Sequence, residues 1–163
     1  MAEPVRLLLV CLGNICRSPM AEGAFRARIA EAGLAGRIEV DSAGTGDWHV
    51  GLPPDERAVA TAARNGVDIS MLRARQLQAA DYRSFDWLLC ADADNLRTVR
   101  ARSPGGTGAG IRLLLDWSGQ GAIEVPDPYT GGRREFDLAW EMVDRAARSL
   151  VERPDAMLAR IDA

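Results

Sequence analysis

The most constraining feature of this sequence is a strand-like segment followed at once by a tight loop and a helix. Val5 to Val10 is a short, nearly continuous apolar run, as expected for a buried parallel strand. The chain then turns at Gly13, and Ser18 followed by Pro19 is typical of a helix N-cap and first turn. Apolar residues recur at helical spacing until Gly33. The sequence therefore predicts a strand, a loop and a helix in that order.

Strands and helices continue to alternate along the chain. Three more strands are predicted, at Ile38 to Val40, Trp87 to Cys90 and Ile111 to Leu115. Three more helices are predicted, from Pro54 to Asn65, from near Asp92, and from about Glu135 to Val151. This alternation indicates an α/β fold with a parallel sheet and helices on both faces. Ligands bind beyond the carboxyl ends of such strands, which places the predicted site at the loop after the first strand.

The size and charge of the chain limit its function. Its 163 residues suit one domain, and no repeat or linker divides them, so we expect a single domain over residues 1–163. A formal net charge of −3 argues against a protein that coats nucleic acid or an anionic membrane. All 20 basic residues are Arg, which excludes Schiff-base or general-base chemistry by Lys.

The cysteine count and hydropathy favour a cytoplasmic location. Three cysteines, an odd number, do not resemble a disulfide framework and suit a reducing compartment. The apolar run from Leu7 to Leu12 is too short to cross a bilayer, and no signal-peptide cleavage site follows it. We expect no membrane or nucleic-acid partner, and the sequence leaves the oligomeric state open.

The segment from residue 11 to residue 18 connects the first strand to the first helix. Backbone N–H groups and the helix dipole favour an anion there, so the segment is a predicted phosphate loop. The same positive field favours the thiolate form of Cys11, the candidate nucleophile. Arg17 closes the loop, and its planar fork can grip two phosphoryl oxygens. The residues predicted to surround the phosphate are Leu12, Gly13, Asn14, Ile15, Cys16, Arg17 and Ser18.

The stretch from Val10 to Glu22, VCLGNICRSPMAE, resembles the signature of the low-molecular-weight protein tyrosine phosphatases. The likeness continues at residues 41–45 (DSAGT), 74–76 (ARQ) and 127–129 (DPY), and so spans nearly the whole chain in the family's order. The resemblance implies a four-stranded parallel sheet, no metal and no other cofactor. It also implies hydrolysis of phosphotyrosine proteins and small aryl phosphates through a phosphocysteine on Cys11.

A phosphocysteine route needs an acid for the departing phenolate and a base for water, and one carboxyl can serve as both. Asp127 is the candidate, because Pro126 and Pro128 restrict the backbone on either side of it. An isolated Asp-Pro is usually only a turn signal, so this assignment depends on the resemblance. Tyr129 and Trp48 are aromatic residues in predicted loops and are candidate walls around a substrate ring.

The resemblance also assigns supporting roles. It implies that Asn14 and Ser42 hold the phosphate loop by hydrogen bonds and that the Ser18 hydroxyl stabilises the thiolate. On the residues alone these are a turn Asn, a strand-end Ser and a plain N-cap. Leu72 stands where vertebrate members have a His in this network, and Thr130 follows Tyr129 where many have a second Tyr.

The remaining cysteines and the single histidine have more than one interpretation. Family members with both loop cysteines are oxidised reversibly, so the resemblance implies a Cys11–Cys16 disulfide and redox regulation. The alternative is that Cys16 merely fills apolar space behind the loop. Cys90 lies in an apolar strand and is expected to be buried. His49 has no nearby Cys pair and is expected at the surface, so no metal site is predicted.

Three other functions compete with phosphatase activity. A thioredoxin-coupled arsenate reductase shares the loop but needs two further cysteines in a mobile segment, and the chain offers only Cys90. A non-catalytic phosphotyrosine-binding module would be expected to lack the nucleophile or the acid, and both are present. A nucleotide-binding domain is disfavoured because the first loop lacks the glycine and Gly-Lys motifs of such sites.

Overall fold

The computed structural model describes residues 3–159, and at its centre is a parallel sheet. Its strands are Val5–Cys11 (β1), Ile38–Gly44 (β2), Trp87–Cys90 (β3) and Gly110–Leu113 (β4). They lie in the order β2-β1-β3-β4, and every neighbouring pair is parallel. The predicted four-stranded parallel sheet is therefore confirmed.

Helices connect the strands and cover both faces of the sheet. Within residues 3–159 they are Arg17–Glu31 (α1), Glu56–Arg64 (α2), Asp81–Ser84 (α3), Ala93–Arg102 (α4), Leu114–Trp117 (α5), Arg133–Glu152 (α6) and Pro154–Leu158 (α7). In this range no helix is both long enough and apolar enough to cross a lipid bilayer.

Successive side chains of β1 enter two different hydrophobic cores. Leu7 and Leu9 belong to the larger core, which α1 and α6 also line. Leu8 and Val10 belong to the smaller core, which receives Tyr82 from α3. All four β1 side chains are at most 1% exposed, which explains why the strand is apolar at nearly every position.

Helix α1 begins two residues earlier than its sequence signal suggests. Its first residue is Arg17 and its N-cap is Cys16, so the prediction of Ser18 as N-cap is wrong. Ser18 and Pro19 lie in the first turn, where backbone N–H groups have no partner within the helix and Pro is tolerated. The Ser18 hydroxyl is therefore free for a role inside the loop.

The fourth strand is shorter than predicted. It ends at Leu113, and the expected strand residues Leu114 and Leu115 begin α5 instead. Both leucines are buried, and an apolar run alone does not distinguish a buried strand from a buried turn of helix. The single-turn helix α3 was not predicted, because four residues are too few to show a helical period.

The carboxyl ends of β1 and β2 meet at the phosphate loop. Cys11, the last residue of β1, pairs in register with Gly44, the last residue of β2. A β-carbon on Gly44 would lie 2.8 Å from the Leu12 carbonyl oxygen and 3.1 Å from the Asn14 nitrogen. Only glycine fits without moving the loop backbone, so β2 directly supports the loop.

Candidate active site

The segment between β1 and α1 is a loop whose carbonyl groups are tied to other parts of the chain. Backbone amides donate to them at 2.9 Å each, from Thr45 to Cys11, from Gly46 to Leu12 and from Asp55 to Ile15. In a trans peptide the following N–H points the opposite way, so these bonds direct N–H groups toward the loop centre. The Asn14 N–H also faces the centre, since it donates to Cys11 Sγ with a nitrogen–sulfur distance of 3.3 Å. The loop can therefore surround an anion.

Asn14 fixes the shape of the loop. Its φ of 56° lies in the left-handed region, which Asn tolerates better than most residues. Its side-chain Oδ1 accepts from the Arg75 backbone N–H at 3.0 Å, and its Nδ2 donates to Ser18 Oγ at 2.7 Å and Ser42 Oγ at 3.0 Å. The Asn14 amide is thus oriented by three partners, one of which donates to its oxygen.

The two serines extend this network, Ser18 toward Cys11 and Ser42 toward Glu22. Ser18 accepts from Asn14, so its own hydroxyl hydrogen is available to Cys11 Sγ, 3.0 Å away. Ser42 also accepts from Asn14 and donates to Glu22 Oε1 at 2.6 Å. The structure therefore brings Asn14, Ser18 and Ser42 together around Cys11, and the bond from Ser18 favours a negatively charged sulfur.

Glu22 ends the network and was given no role by sequence reasoning. It is 2% exposed, and burial raises its pKa although Ser42 and Arg26 act in the opposite direction. Its Oε2 lies 2.7 Å from Arg26 Nη2, a charge contact without hydrogen-bond geometry. The available signal was helical spacing, since Glu22 lies one turn after Ser18 on α1.

Arg17 is 3% exposed, and hydrogen bonds fix one end of its guanidinium. Its Nη1 donates to Asp92 Oδ2 at 2.6 Å and to the Val125 carbonyl at 3.0 Å. Burial alone would lower the pKa of Arg17, but the negative charges of Cys11, Asp92 and Asp127 outweigh it and the pKa is raised. Within residues 3–159 the hydrogen bonds of this guanidinium all use Nη1, so its Nε and Nη2 edge is available to a phosphoryl group.

Asp92 was predicted only as a helix start. It does cap α4 by accepting from the Asn95 N–H at 2.8 Å, and its other oxygen holds Arg17. The signal that sequence reasoning overlooked is its position just beyond the carboxyl end of β3, the edge of the sheet where ligands bind.

Asp127 reaches the site from the segment before α6. Its side chain is 47% exposed, and its Oδ2 lies 3.7 Å from Arg17 Nη2. Its Oδ1 accepts from the Tyr129 N–H at 3.1 Å, which orients the carboxyl within its own turn. Asp127 thus meets the phosphate loop through Arg17.

A cleft of about 230 Å³ opens onto the loop. Its lining residues are Cys11, Leu12, Gly13, Ile15, Cys16, Arg17, Trp48, His49, Asp127 and Tyr129. Cys11 is 3% exposed, whereas Trp48 and Tyr129 are 67% and 50% exposed. The thiol therefore lies deep, and the two aromatic rings stand at the rim.

The three cysteines differ in surroundings, and all are free thiols. Burial raises the pKa of Cys16, and the charges of Asp55, Cys11 and Asp127 raise it further. Cys16 therefore stays protonated beside the loop. Cys90 is completely buried in β3, as expected, and burial raises its pKa to about 12.

His49 lies closer to the loop than predicted. It is half-buried rather than fully at the surface, and a β-carbon on Gly13 would lie 2.9 Å from its Cδ2. The ring thus packs against the glycine at the start of the loop. Across residues 3–159 no group of three or more His, Cys, Asp or Glu side chains is arranged to hold a metal ion.

Comparison with known proteins gives a consistent result. Residues 6–160 match the family model described as low molecular weight phosphotyrosine protein phosphatase. The chain is 43% identical over 150 residues to the low molecular weight protein-tyrosine-phosphatase of Streptomyces coelicolor, covering 90% of this chain and 91% of that one. It is 42% identical over 147 residues to the corresponding Schizosaccharomyces pombe phosphatase, covering 88% and 94%.

Solved structures agree. The crystal structure of a protein tyrosine phosphatase from Entamoeba histolytica superposes with a TM-score of 0.86 at 32% sequence identity, covering 93% of this chain and 97% of that one. The match to the family model spans the phosphate loop, its supporting strand and the Asp127 segment. This chain therefore belongs to the low molecular weight phosphotyrosine protein phosphatase family.

Proposed function

We propose that this enzyme hydrolyses phosphotyrosine in proteins with Cys11 as nucleophile, Arg17 as phosphate clamp and Asp127 as general acid and base. The observation that carries these roles is that all three side chains line one cleft, with the loop between β1 and α1 at its base. The family supplies the reaction class, since its named members are phosphotyrosine phosphatases and hydrolases. The residues after Cys11 as far as Ser18 would hold the phosphate.

In the first step the Cys11 thiolate attacks phosphorus and the bond from phosphorus to the phenolic oxygen breaks. Loop N–H groups and the open edge of Arg17 bind the equatorial oxygens, where charge is greatest. Protonated Asp127 donates its proton to the departing phenolate. The products of this step are a phenol and a phosphocysteine.

In the second step the Asp127 carboxylate takes a proton from water, which attacks phosphorus. The sulfur–phosphorus bond breaks, phosphate is released, and the Cys11 thiolate is restored. The Ser18 hydroxyl, 3.0 Å from the sulfur, stabilises the thiolate as a leaving group. Asn14 and Ser42 serve this step by holding Ser18 and the loop in place.

The shape of the cleft supports an aryl phosphate as substrate. Cys11 lies at the base, and Trp48 and Tyr129 stand at the rim as apolar walls for a substrate ring. A phosphate on a long planar side chain can reach the base while its ring lies between these walls. Phosphotyrosine and small aryl phosphates have this form.

The decisive experiment is hydrolysis of a phosphotyrosine peptide and of p-nitrophenyl phosphate by wild type and Cys11→Ser. We expect turnover in wild type and its loss in the variant, with vanadate binding retained because the loop amides and Arg17 remain. Even a tenth of the wild-type rate in Cys11→Ser would exclude Cys11 as nucleophile. Failure of wild type to release phosphate would favour a binding module.

Arsenate reduction is disfavoured by the position of Cys90. A thioredoxin-coupled relay needs cysteines that can move toward the loop thiol, whereas Cys90 is fully buried within the central sheet. Arsenate-dependent oxidation of thioredoxin by wild type would reverse this conclusion.

We also propose that peroxide inactivates the enzyme reversibly. The Cys11 thiolate would be oxidised by peroxide to a sulfenic acid, and the Cys16 thiol would attack it, forming a disulfide and releasing water. Both cysteines are free and line the same cleft. Such control suits a reducing cytoplasm, which we propose as the location, and we treat residues 1–163 as one phosphatase domain.

A further inference from the structure

We propose that Arg57 is a positioning residue that holds the segment 127–131, and with it Asp127, against the phosphate loop. The inference rests on the proposed function, since it concerns the orientation of the general acid. Arg57 lies in the first turn of α2, outside the cleft. Its effect on the reaction would therefore pass through the segment it holds.

The Arg57 guanidinium contacts the acid segment directly. Its Nη2 donates to the Tyr129 carbonyl at 3.0 Å, and its Nη1 donates to the Gly131 carbonyl at 3.1 Å. Its Cζ also lies 5.6 Å from the centre of the Tyr129 ring and 4.6 Å from that of Phe136 in α6. Two hydrogen bonds and two ring contacts thus converge on one side chain.

Asp55 fixes the guanidinium on its other side. Arg57 Nε and Nη2 each lie 3.0 Å from a different Asp55 oxygen, and Asp55 Oδ1 also caps α2 by accepting from the Arg57 N–H. These hydrogen bonds hold the pKa of Asp55 below its usual range, so the pair stays charged near neutral pH. A planar fork held on both edges has little freedom to move.

The same Asp55 is anchored to the phosphate loop. Its backbone N–H donates to the Ile15 carbonyl at 2.9 Å. A continuous series of contacts therefore runs from Ile15 through Asp55 and Arg57 to Tyr129 and Gly131. It connects the loop that binds phosphate to the segment that carries the acid.

The acid segment has few other hydrogen bonds to its surroundings. Tyr129 N–H to Asp127 Oδ1 and Gly131 N–H to Pro128 O both lie within the segment itself. Across residues 3–159, the hydrogen bonds that reach 127–131 from another element come from Arg57. The remaining polar contact is the 3.7 Å ion pair between Arg17 and Asp127.

Loss of Arg57 should therefore impair proton donation more than phosphate binding. The hydrogen bonds that the Arg57 guanidinium donates within residues 3–159 go to Asp55, Tyr129 and Gly131 and not to Arg17 or the loop amides, so vanadate affinity should stay within about twofold. Expulsion of a basic phenolate depends on a well-placed acid, whereas an activated phenolate leaves without much help. The defect in kcat/KM should accordingly grow as the leaving phenol becomes less acidic.

The test compares wild type with Arg57→Met, Arg57→Lys and the matched control Arg64→Met. Arg64 lies in the same helix and donates to Asp137 of α6 at 2.8 Å. Its loss therefore removes a hydrogen bond between α2 and α6 but none to the acid segment. For phenyl phosphate, Arg57→Met should lose roughly tenfold in kcat/KM, against less than about threefold for p-nitrophenyl phosphate. Arg57→Lys should fall between, since an ammonium cannot reproduce the fork, and Arg64→Met should match wild type.

Hydrogen exchange supplies a second measurement that does not depend on activity. The amides of residues 129–132 should exchange faster in Arg57→Met than in wild type or Arg64→Met. Equal losses for both substrates, unchanged exchange in 129–132, or an Arg64→Met profile like that of Arg57→Met would each overturn the inference. If Arg57→Met does not fold, Arg57→Lys is judged by the same criteria. If wild type is active and substitution of Arg57 changes neither the kinetics nor the exchange, only this inference fails. If wild type is inactive, the proposed function fails.

Discussion

Ser18 Oγ lies 3.0 Å from Cys11 Sγ and accepts a hydrogen bond from Asn14 Nδ2, so the single hydroxyl hydrogen of Ser18 is available to the sulfur. That hydrogen therefore points at the sulfur when Cys11 is a thiolate. In the proposed mechanism this bond would be strongest when the thiolate leaves phosphorus in the second step. The side chain of Ser18 thus contacts the thiol of the loop and does not cap α1.

Ser18→Ala should slow breakdown of the phosphocysteine. A hydrogen bond to a charged group contributes about 1.5–3 kcal/mol, so we expect kcat to fall roughly 10- to 100-fold. Binding of vanadate should change much less. Pre-steady-state kinetics should show a burst of phenol followed by slow turnover, and a variant without such a burst would place the role of Ser18 elsewhere.

Asp127→Asn should cost roughly 10²- to 10⁴-fold in expulsion of a phenolate, the usual range for general acid catalysis. The deficit in kcat/KM should shrink for phenols of low pKa, which leave without a proton. A series of substituted phenyl phosphates measures this dependence. Equal slowing across the series would make Asp127 a residue that only positions substrate.

Gly44→Ala should disturb the phosphate loop from the side of β2. The added methyl would meet loop backbone at 2.8–3.1 Å, so we expect a loss of about 1–3 kcal/mol in unfolding free energy and reduced vanadate affinity. Gly36→Ala is the matched control, because a β-carbon there meets nothing within 4 Å. Denaturant unfolding and vanadate titration of both variants test this prediction. Equal unfolding free energies and equal vanadate affinities for the two variants would refute it.

Glu22→Gln should change how stability depends on pH. Burial raises the pKa of Glu22 above its ordinary value of 4.5, so the folded protein binds this proton more tightly than the unfolded chain does. Wild type should therefore lose stability relative to Glu22→Gln as pH rises from about 4.5 through the folded pKa. Unfolding free energies of both proteins at a series of pH values test this, and a constant difference would contradict it.

Cys16→Ser should remove protection against peroxide. After equal exposure and then dithiothreitol, wild type should recover activity, whereas the variant should stay largely inactive because its sulfenic acid oxidises further. The expected intermediate in wild type is a Cys11–Cys16 disulfide, which mass spectrometry of peptides detects. Equal recovery of both proteins would leave Cys16 as a packing residue.

Much of the fold was predictable because β1 and α1 carry unambiguous local signals. The apolar run of β1, its loop and α1 were placed within one or two residues, since burial on both faces of a sheet forces continuous apolarity. The boundary between β4 and α5 was not predictable. Leu114 and Leu115 belong to the larger core, and an apolar pair alone does not distinguish a buried strand end from a buried turn of helix.

In the candidate site, some residues were predictable from the sequence and others were not. Cys11, Arg17 and Asn14 lie in one short segment, so spacing and resemblance revealed them together. Glu22 contacts Ser42 and Asp92 contacts Arg17, and both contacts join residues that are far apart in the sequence. The helical spacing of Glu22 and the position of Asp92 after β3 bring each residue near the site but do not identify its partner, and both residues had simpler interpretations as parts of helices.

The outward bonds of the loop carbonyls link catalysis to the cooperativity of folding. Their partners Thr45, Gly46 and Asp55 lie far along the chain from the carbonyls they hold, so the loop acquires its shape only when these later segments are folded against it. A partly unfolded molecule should therefore have no anion site. By linkage, inorganic phosphate would bind the native state alone, and at 100 times its dissociation constant it would stabilise the fold by about 2.7 kcal/mol. The product of the reaction would thus protect the enzyme that releases it.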